Sequence, residues 1–86
     1  MQIGIDLGAT KIESVLLKND GLELHRNRIN SPKDYKKTIN DITNIVNKIE
    51  KKFNKSFNVG ICHPGSTNLE TGSIQNSFNS PWLNNK

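Results

Sequence analysis

The segment GIDLGATKIE, near the start of the chain, places polar and small residues inside an otherwise apolar run. Asp6 can hold Mg²⁺ through water, because this ion keeps much of its hydration shell and uses few protein carboxylates. Gly8 lacks a Cβ, so a backbone amide there can approach a phosphate closely. Thr10 adds a hydroxyl donor and Lys11 a positive charge. These residue types predict a turn that binds nucleotide phosphates, and the alternative is an ordinary hairpin turn.

A second polar segment, HPGSTNLETGSIQNSFNSPWLNN, occupies the last quarter of the chain. Pro64 and Gly65 predict a sharp bend after a parallel strand, and loops at the carboxyl ends of such strands are where α/β proteins bind ligands. Asn76 and Asn79 carry amides that can hydrogen-bond sugar hydroxyls. The alternative is a polar surface loop anchored by Trp82, a residue that we expect to pack against the fold.

The adjacent Cys62 and His63 suggest a nucleophile or a metal site. A catalytic Cys/His pair must meet in space, whereas adjacent residues of a strand point to opposite faces. We therefore expect a buried Cys62 and a histidine in a turn. A single cysteine also excludes an internal disulfide and a zinc cluster made by this chain alone.

Strands must position the first turn. Residues 2–7 alternate between apolar and polar or small side chains, which predicts a strand. Residues 12–17 are denser in apolar side chains and predict a second strand that is covered on both faces. Residues 19–21 predict a hairpin turn, and residues 22–29 a third strand whose two leucines face one way. Together these segments predict an antiparallel meander.

One helix is expected after Ser31-Pro32, with Ser31 or Asp34 as its N-cap. Apolar residues recur there at spacings of three and four and predict a helix of about five turns; they are Tyr35, Ile39, Ile42, Ile45, Val46, Ile49 and Phe53. Residues 57–61 predict a fourth strand that returns parallel to the first.

The net charge of +4 on 86 residues raises the question of a nucleic-acid or membrane surface. The lysines of the helical segment are interleaved with acidic residues, and no aromatic side chains alternate with them as a stacking surface requires. A solvated helix face is therefore the expected explanation, with no nucleic-acid or membrane partner. No leader segment or apolar span is visible, so we expect a cytoplasmic protein of at most one small domain.

The two motif segments, IGIDLGATKIE and VGICHPGSTNLETGSIQNSFNSPWLNN, together resemble the N-terminal part of the ROK family of sugar kinases, especially its fructokinase-like and N-acetylhexosamine kinase-like members. The resemblance covers nearly the whole chain. It implies an α/β fold, the N-terminal half-domain of an actin-like (ribonuclease H-like) ATPase. This half-domain has three antiparallel strands, one helix and then a parallel strand. Residues 1–86 would form a single, incomplete domain.

The resemblance also implies the ligands. Mg²⁺ and ATP would be bound by Asp6, Gly8, Ala9, Thr10 and Lys11. The carboxylate of Asp6 would contact the metal through water and would not ligate it directly. The sugar would be bound by Gly65, Ser66, Asn76 and Asn79. The reaction would transfer the γ-phosphoryl group of ATP to a hexose such as fructose, glucose or an amino sugar, mostly by positioning and charge neutralisation.

The chain departs from the family pattern at Ala9 and Cys62, where glycine is usual, and the methyl of Ala9 predicts weaker phosphate contact. The catalytic Asn-Asp motif, the second phosphate loop and the zinc cluster of many members are missing, so we expect no activity from these residues alone. The alternatives are a non-catalytic sugar- or nucleotide-binding or interaction module, or a ROK repressor remnant. The repressor is disfavoured because Met1 leaves no room for a preceding helix-turn-helix. We also expect self-association through an unpaired edge of the fourth strand.

Overall fold

Three of the four strands of the main sheet form the predicted antiparallel meander. In the computed structural model, which describes residues 1–86, its strands are Gln2–Leu7 (β1), Lys11–Leu17 (β2) and Glu23–Asn30 (β3). A fourth strand, Asn58–Cys62 (β4), pairs with β1 in parallel, as predicted, and the strand order is β3-β2-β1-β4. The helix Tyr35–Phe53 (α1) connects β3 to β4.

Both ends of α1 are capped by residues outside it. Asp34 is the N-cap, and its carboxylate accepts a hydrogen bond of 2.9 Å from the backbone N–H of Lys37, which satisfies one otherwise unpaired donor. Of the two expected caps, Asp34 is therefore the one used. Asn54 ends the helix in the left-handed conformation, with φ of 52°, a role that asparagine tolerates better than most residues.

The core lies between α1 and one face of the sheet, here called the inner face. β1 alternates as predicted and β2 alternates as well, so that every second residue points to this face. The buried apolar side chains come from β1, β2, α1 and the C-terminal segment: Ile3, Ile5, Leu7, Ile12, Leu16, Ile45, Ile49 and Leu83. Burial of each contributes about 1.5–3 kcal/mol. The opposite, outer face carries the remaining residues of the strands.

Three details of the predicted packing are wrong. β2 is buried on its inner face only, because no element covers the outer face and Val15 is half-buried there. Leu22 precedes β3 and is 56% exposed, while Leu24 lies at a register shift of the β2–β3 pair and is 40% exposed. Such an irregularity leaves a residue without a cross-strand partner. Ile39 is also exposed, because the predicted apolar stripe is wider than the face of α1 that reaches the sheet.

The last part of the chain is more ordered than a loop. Ser66–Thr67 (β5) and Ile74–Gln75 (β6) form a small antiparallel hairpin, and Pro81–Leu83 form a turn of 3-10 helix. Leu83 is buried in the core and Trp82 packs against it, as expected for the tryptophan. No helix of the structure has both the length and the apolar character that crossing a membrane requires.

The expectation of a buried Cys62 is wrong, because its side chain is exposed. Cys62 ends β4, all five residues of which are exposed since nothing covers that strand. His63 does lie in a turn, where its ring nitrogens are 2.9 Å from the carbonyl oxygen of Pro64 and 3.2 Å from the hydroxyl of Thr67. These contacts are local, so they give no support to a Cys/His catalytic pair.

Candidate functional site at the carboxyl ends of β1 and β4

The two motif segments leave the sheet at the same edge. Asp6 pairs with Cys62 across the parallel strands β1 and β4, so both strands end at this edge. The chain continues from them into the turn 8–10 and the loop 63–65, respectively. β3 ends there too, because the backbone N–H of Ser31 donates to the carbonyl of Thr10 at 2.8 Å. The fold therefore brings the start of each predicted site to one side of the sheet.

The turn is closed by Gly8. Its N–H donates to the carbonyl of Lys11 at 2.9 Å, and a Cβ at this position would lie 2.8 Å from that same oxygen. Real Cβ atoms do not approach a backbone oxygen so closely, so a larger residue would push the turn open. Gly8 is therefore required by steric contact within the turn, and its amide is not free for a ligand.

The free donors of the turn are the next two amides. The N–H groups of Ala9 and Thr10 have no acceptor within the chain, although the carbonyl of Thr10 is bonded. Successive amides without partners form a small concavity that is suited to an anion. The sequence analysis predicted close phosphate approach at Gly8, whereas the amides without a partner in the structure are those of Ala9 and Thr10.

Asp6 and Lys11 are both exposed and lie on the outer face of the sheet. Asp6 takes part in no ion pair, so its carboxylate is free to contact a hydrated cation. The ammonium of Lys11 donates to the side-chain oxygen of Asn30, so its charge is held beside the end of β3. The structure contains no group of three or more His, Cys, Asp and Glu side chains arranged to ligate a metal directly.

Glu13 is the carboxylate opposite Asp6 on β2, and it is neutralised by arginines. It accepts hydrogen bonds from Arg26 and, at 3.4 Å, from Arg28, while Arg26 also donates to Glu23 at 2.7 Å. The hydrogen bond from Arg26 is the main cause that lowers the pKa of Glu13. Of the two facing carboxylates, only Asp6 is left without a cationic partner.

The loop after β4 depends on Gly65. Its φ is 76°, and a Cβ there would lie 2.3 Å from the carbonyl oxygen of Gln75. The close approach lets Ser66, which is exposed, pair with Gln75 at the start of the small hairpin. Both predicted residues of this loop are thus at its bend, one fixing the backbone and one facing solvent.

Asn76 and Asn79 are exposed on a loop that is held from beneath. Ser77 is buried, and its hydroxyl donates to the carbonyl of Ser80 at 2.9 Å. The side chain of Asn84 accepts from the N–H of Ser77 at 3.0 Å. These inward contacts fix the loop, so the two predicted asparagines are presented to solvent.

Sequence reasoning missed the residues that support and accompany these asparagines. Ser77 and Asn84 anchor the loop, and Phe78 between the asparagines is 86% exposed. A large aromatic side chain exposed between two amides is a third group that a sugar could contact. The alternation of polar residues around Phe78 in QNSFNS is the only sequence signal that could have indicated it.

An open depression of about 520 Å³ lies next to Asp6 on the outer face. It crosses the sheet over two glycines, Gly4 and Gly60, and is bordered by Glu13 and Cys62. Because glycines leave no side chains above the sheet, the backbone is accessible there. Asp6 is the only residue of the two predicted sites that lines it.

The sequence matches one protein family over almost its whole length. The family model described as "ROK family" matches residues 2–86. An N-acetyl-D-glucosamine kinase of Haemophilus influenzae is 37% identical over 73 residues, and one of Mannheimia succiniciproducens is 42% identical over 74. Each match covers 84% of this chain and 24% of the relative. The chain therefore spans about a quarter of the length of these kinases.

Solved structures show the same fold. The ROK hexokinase from Thermus thermophilus superposes with a TM-score of 0.79 at 21% identity, covering 98% of this chain and 28% of the hexokinase. A ROK family protein from Streptococcus pneumoniae, solved in complex with sucrose, gives 0.61 at 22% identity, with 96% and 28% covered. The α/β architecture expected of the actin-like ATPases is thereby confirmed. Because the family model matches almost every residue, the chain belongs to the ROK family.

Proposed function

We propose that residues 1–86 are the part of an ATP-dependent sugar kinase that contacts both the nucleotide phosphates and the sugar, within one incomplete domain. The two relatives described above are N-acetyl-D-glucosamine kinases, which makes an N-acetylated amino sugar the first hexose to test. The observation that carries the proposal is the common edge of the sheet from which the turn 8–10 and the loop 63–65 both leave.

The turn has the donors that a triphosphate with Mg²⁺ needs. The unpaired amides of Ala9 and Thr10 can donate to phosphate oxygens. The free carboxylate of Asp6 can accept from water bound to Mg²⁺. Lys11 and the hydroxyl of Thr10 would add charge and a further donor. Bound there, the metal would neutralise phosphate charge and orient the terminal phosphoryl group.

The second segment has the groups that a sugar needs. Asn76 and Asn79 offer amides on a loop that buried serines fix, and Ser66 adds a hydroxyl beside the bend at Gly65. Phe78 offers an apolar surface between them. A few fixed polar groups beside an apolar wall are typical of small-molecule sites.

These residues alone would not turn over substrate. Within the chain, no free carboxylate lies on the sugar-contacting loop, where a residue must accept the proton of the attacking hydroxyl. Glu70, the one acidic residue of that region, is exposed at the tip of the small hairpin, where the side-chain oxygen of Asn68 accepts from the backbone N–H groups of Glu70 and Thr71. We therefore expect ligand binding without phosphoryl transfer.

The nucleotide half is tested by two-dimensional NMR of the 86-residue chain titrated with Mg·ATP. Saturable shifts are expected at the amides of Ala9 and Thr10. Asp6→Asn should weaken the affinity about tenfold, because a charge-assisted contact is lost, while the matched exposed variant Glu70→Gln should not change it. Shifts spread evenly over the lysine-rich helix, with no effect of Asp6→Asn, would contradict the proposal.

The sugar half is tested by the same titration with N-acetylglucosamine, glucose and fructose. Shifts are expected around residues 76–79 and should be lost in Asn79→Ala but kept in Asn47→Ala, an exposed asparagine of α1. Incubation with labelled ATP should give no sugar phosphate. Turnover that Asp6→Ala abolishes would show an active enzyme, whereas sugar binding without nucleotide binding would favour a non-catalytic binding module.

A further inference from the structure

A polar groove of about 500 Å³ separates α1 from the outer strand β3. On the inner face, β3 contributes His25 opposite Leu16 and Asn27 opposite Ser14. Polar side chains at these positions cannot extend the apolar packing that α1 makes with β1 and β2. The helix therefore covers the centre of the sheet and leaves this space along its margin.

A buried hydroxyl without a partner lies at the floor of this groove. Ser14 is 1% exposed, and its oxygen makes no hydrogen bond within the chain. Buried polar groups are almost always paired, and an unpaired one costs free energy relative to an apolar residue of the same shape. Ser14 lines the groove, so a ligand bound there can supply the missing partner.

The helix wall of the groove is cationic at one end. Lys48 and Lys52, one turn apart on α1, line it together with Asn44. Neither lysine forms an ion pair, although the ammonium of Lys52 lies 5.7 Å from the centre of the Phe53 ring. The only carboxylate lining the groove is Asp41, two turns earlier on the helix than Lys48. Two positive charges without an ion-pair partner, one carboxylate and several donors therefore line one space.

We propose that this groove binds a small anion of the phosphate-monoester class. The two lysines would neutralise its charge, the hydroxyl of Ser14 would donate a hydrogen bond, and the amides of Asn27 and Asn44 would fix its orientation. Charge-assisted hydrogen bonds of this kind are about twice as strong as neutral ones. The volume of the groove leaves room for the organic part of such an ester. The proposal does not depend on the nucleotide site, which lies at the edge of the sheet rather than on its inner face.

Inorganic phosphate is the probe. It is titrated into the ¹⁵N-labelled chain while the chloride concentration is lowered, so that the ionic strength stays constant. Saturable shifts are expected at Asn27, Asn44 and Lys48. The double variant Lys48→Gln/Lys52→Gln should weaken this binding about tenfold or more. The matched variant Lys36→Gln/Lys37→Gln changes two exposed lysines of the same helix and should leave the affinity within about twofold.

The variant Ser14→Ala separates an effect on phosphate binding from an effect on the stability of the fold. Because it removes an unpaired hydroxyl, the free chain should melt at the same or a higher temperature while its phosphate affinity falls severalfold. Shifts confined to Ala9 and Thr10 would assign phosphate to the turn alone and overturn the proposal. Groove shifts that follow protein concentration and not phosphate would overturn it too, in favour of a second copy of the chain. Unchanged affinity in the double variant or in Ser14→Ala would also count against it.

Discussion

Asp6 and Cys62 are register partners on the parallel strands β1 and β4, so a carboxylate and a thiol lie on neighbouring strands at the edge where both strands end. Sequence reasoning placed Asp6 in a nucleotide site and Cys62 in the core. The structure exposes both residues. Their proximity makes the thiol a reporter of the proposed nucleotide site.

The exposure of Cys62 predicts fast labelling. Iodoacetamide should modify the native chain within about threefold of its rate for the urea-unfolded chain, because access to the thiolate limits such reactions. Mg·ATP should slow the labelling of the native chain if it binds beside Asp6. Mass spectrometry measures the modified fraction, and Cys62→Ser is the control for other sites. Labelling that requires unfolding would contradict the exposed position.

Alanine substitutions at three glycines separate the stability cost of backbone strain from that of steric contact. Gly65→Ala should cost more than Gly72→Ala, since both have positive φ but only Gly65 has a backbone oxygen within 2.3 Å of the added Cβ. The left-handed conformation alone costs about 1–2 kcal/mol. Gly60→Ala meets no atom within 4 Å and should be nearly neutral.

Urea unfolding, followed both by circular dichroism and by the NMR signals of Ile74 and Gln75, measures this series. The second readout is needed because the small hairpin can open without the sheet. Equal effects of Gly65→Ala and Gly72→Ala would mean that the contact with Gln75 is not maintained in solution.

The ion pair of Glu13 predicts a pH dependence of stability. The hydrogen bond from Arg26 lowers the pKa of Glu13 in the folded chain below its usual value. Its contribution is therefore present above the pKa of the unfolded state, about 4.3, and is lost as the pH falls through the lower, folded value. The urea midpoint should fall on acidification in this range.

Glu13→Gln is the control for the ion pair, because it keeps the size of the side chain and removes its charge. The variant should lose less stability on acidification than the natural chain. The arginines involved are more than half exposed, so salt should reduce the difference. Identical acid profiles of the two chains would show that Glu13 has no pKa shift in solution.

The free edge of β4 predicts self-association. β4 pairs only with β1, so its other edge carries unpaired backbone groups that another strand can bind. Val59 and Ile61 beside this edge are 41% and 49% exposed. Ile61→Lys should suppress dimers, because a charge on an edge strand discourages pairing.

Sedimentation velocity over a range of concentrations measures this association. Leu69→Lys is the matched control, since Leu69 is 96% exposed but lies away from β4. A chain that stays monomeric at the highest soluble concentration would argue against the edge as a binding surface. Dimers that resist Ile61→Lys would assign them to another surface.

The sequence was sufficient for the order of the main elements. The alternation in residues 2–7, the hairpin signal at Asn19-Asp20-Gly21 and the three-and-four spacing after Asp34 each reflect local geometry, and the structure confirms them. The parallel return of β4 follows from the length of the helical connection. The motif residues of the first turn also occupy the turn that their types predicted.

The periodicity of the sequence could not show whether another element covers a given face of a strand or of the helix. Leu24, Ile39 and Cys62 have the polarity of core residues, yet all three are exposed. Leu24 lies at the register shift of β3, Ile39 lies beyond the face of α1 that reaches the sheet, and Cys62 ends a strand that nothing covers. Because α1 does not cover the inner face of β3, a groove also remains above Ser14. The anchor of the 76–80 loop at Ser77 depends on hydrogen bonds with Asn84, seven residues away. The amino-acid pattern thus determined the strands, the helix and the sheet edge at which the two motif segments lie. Only the packing in three dimensions decided which side chains are exposed to water, because burial depends on neighbours that are distant along the chain.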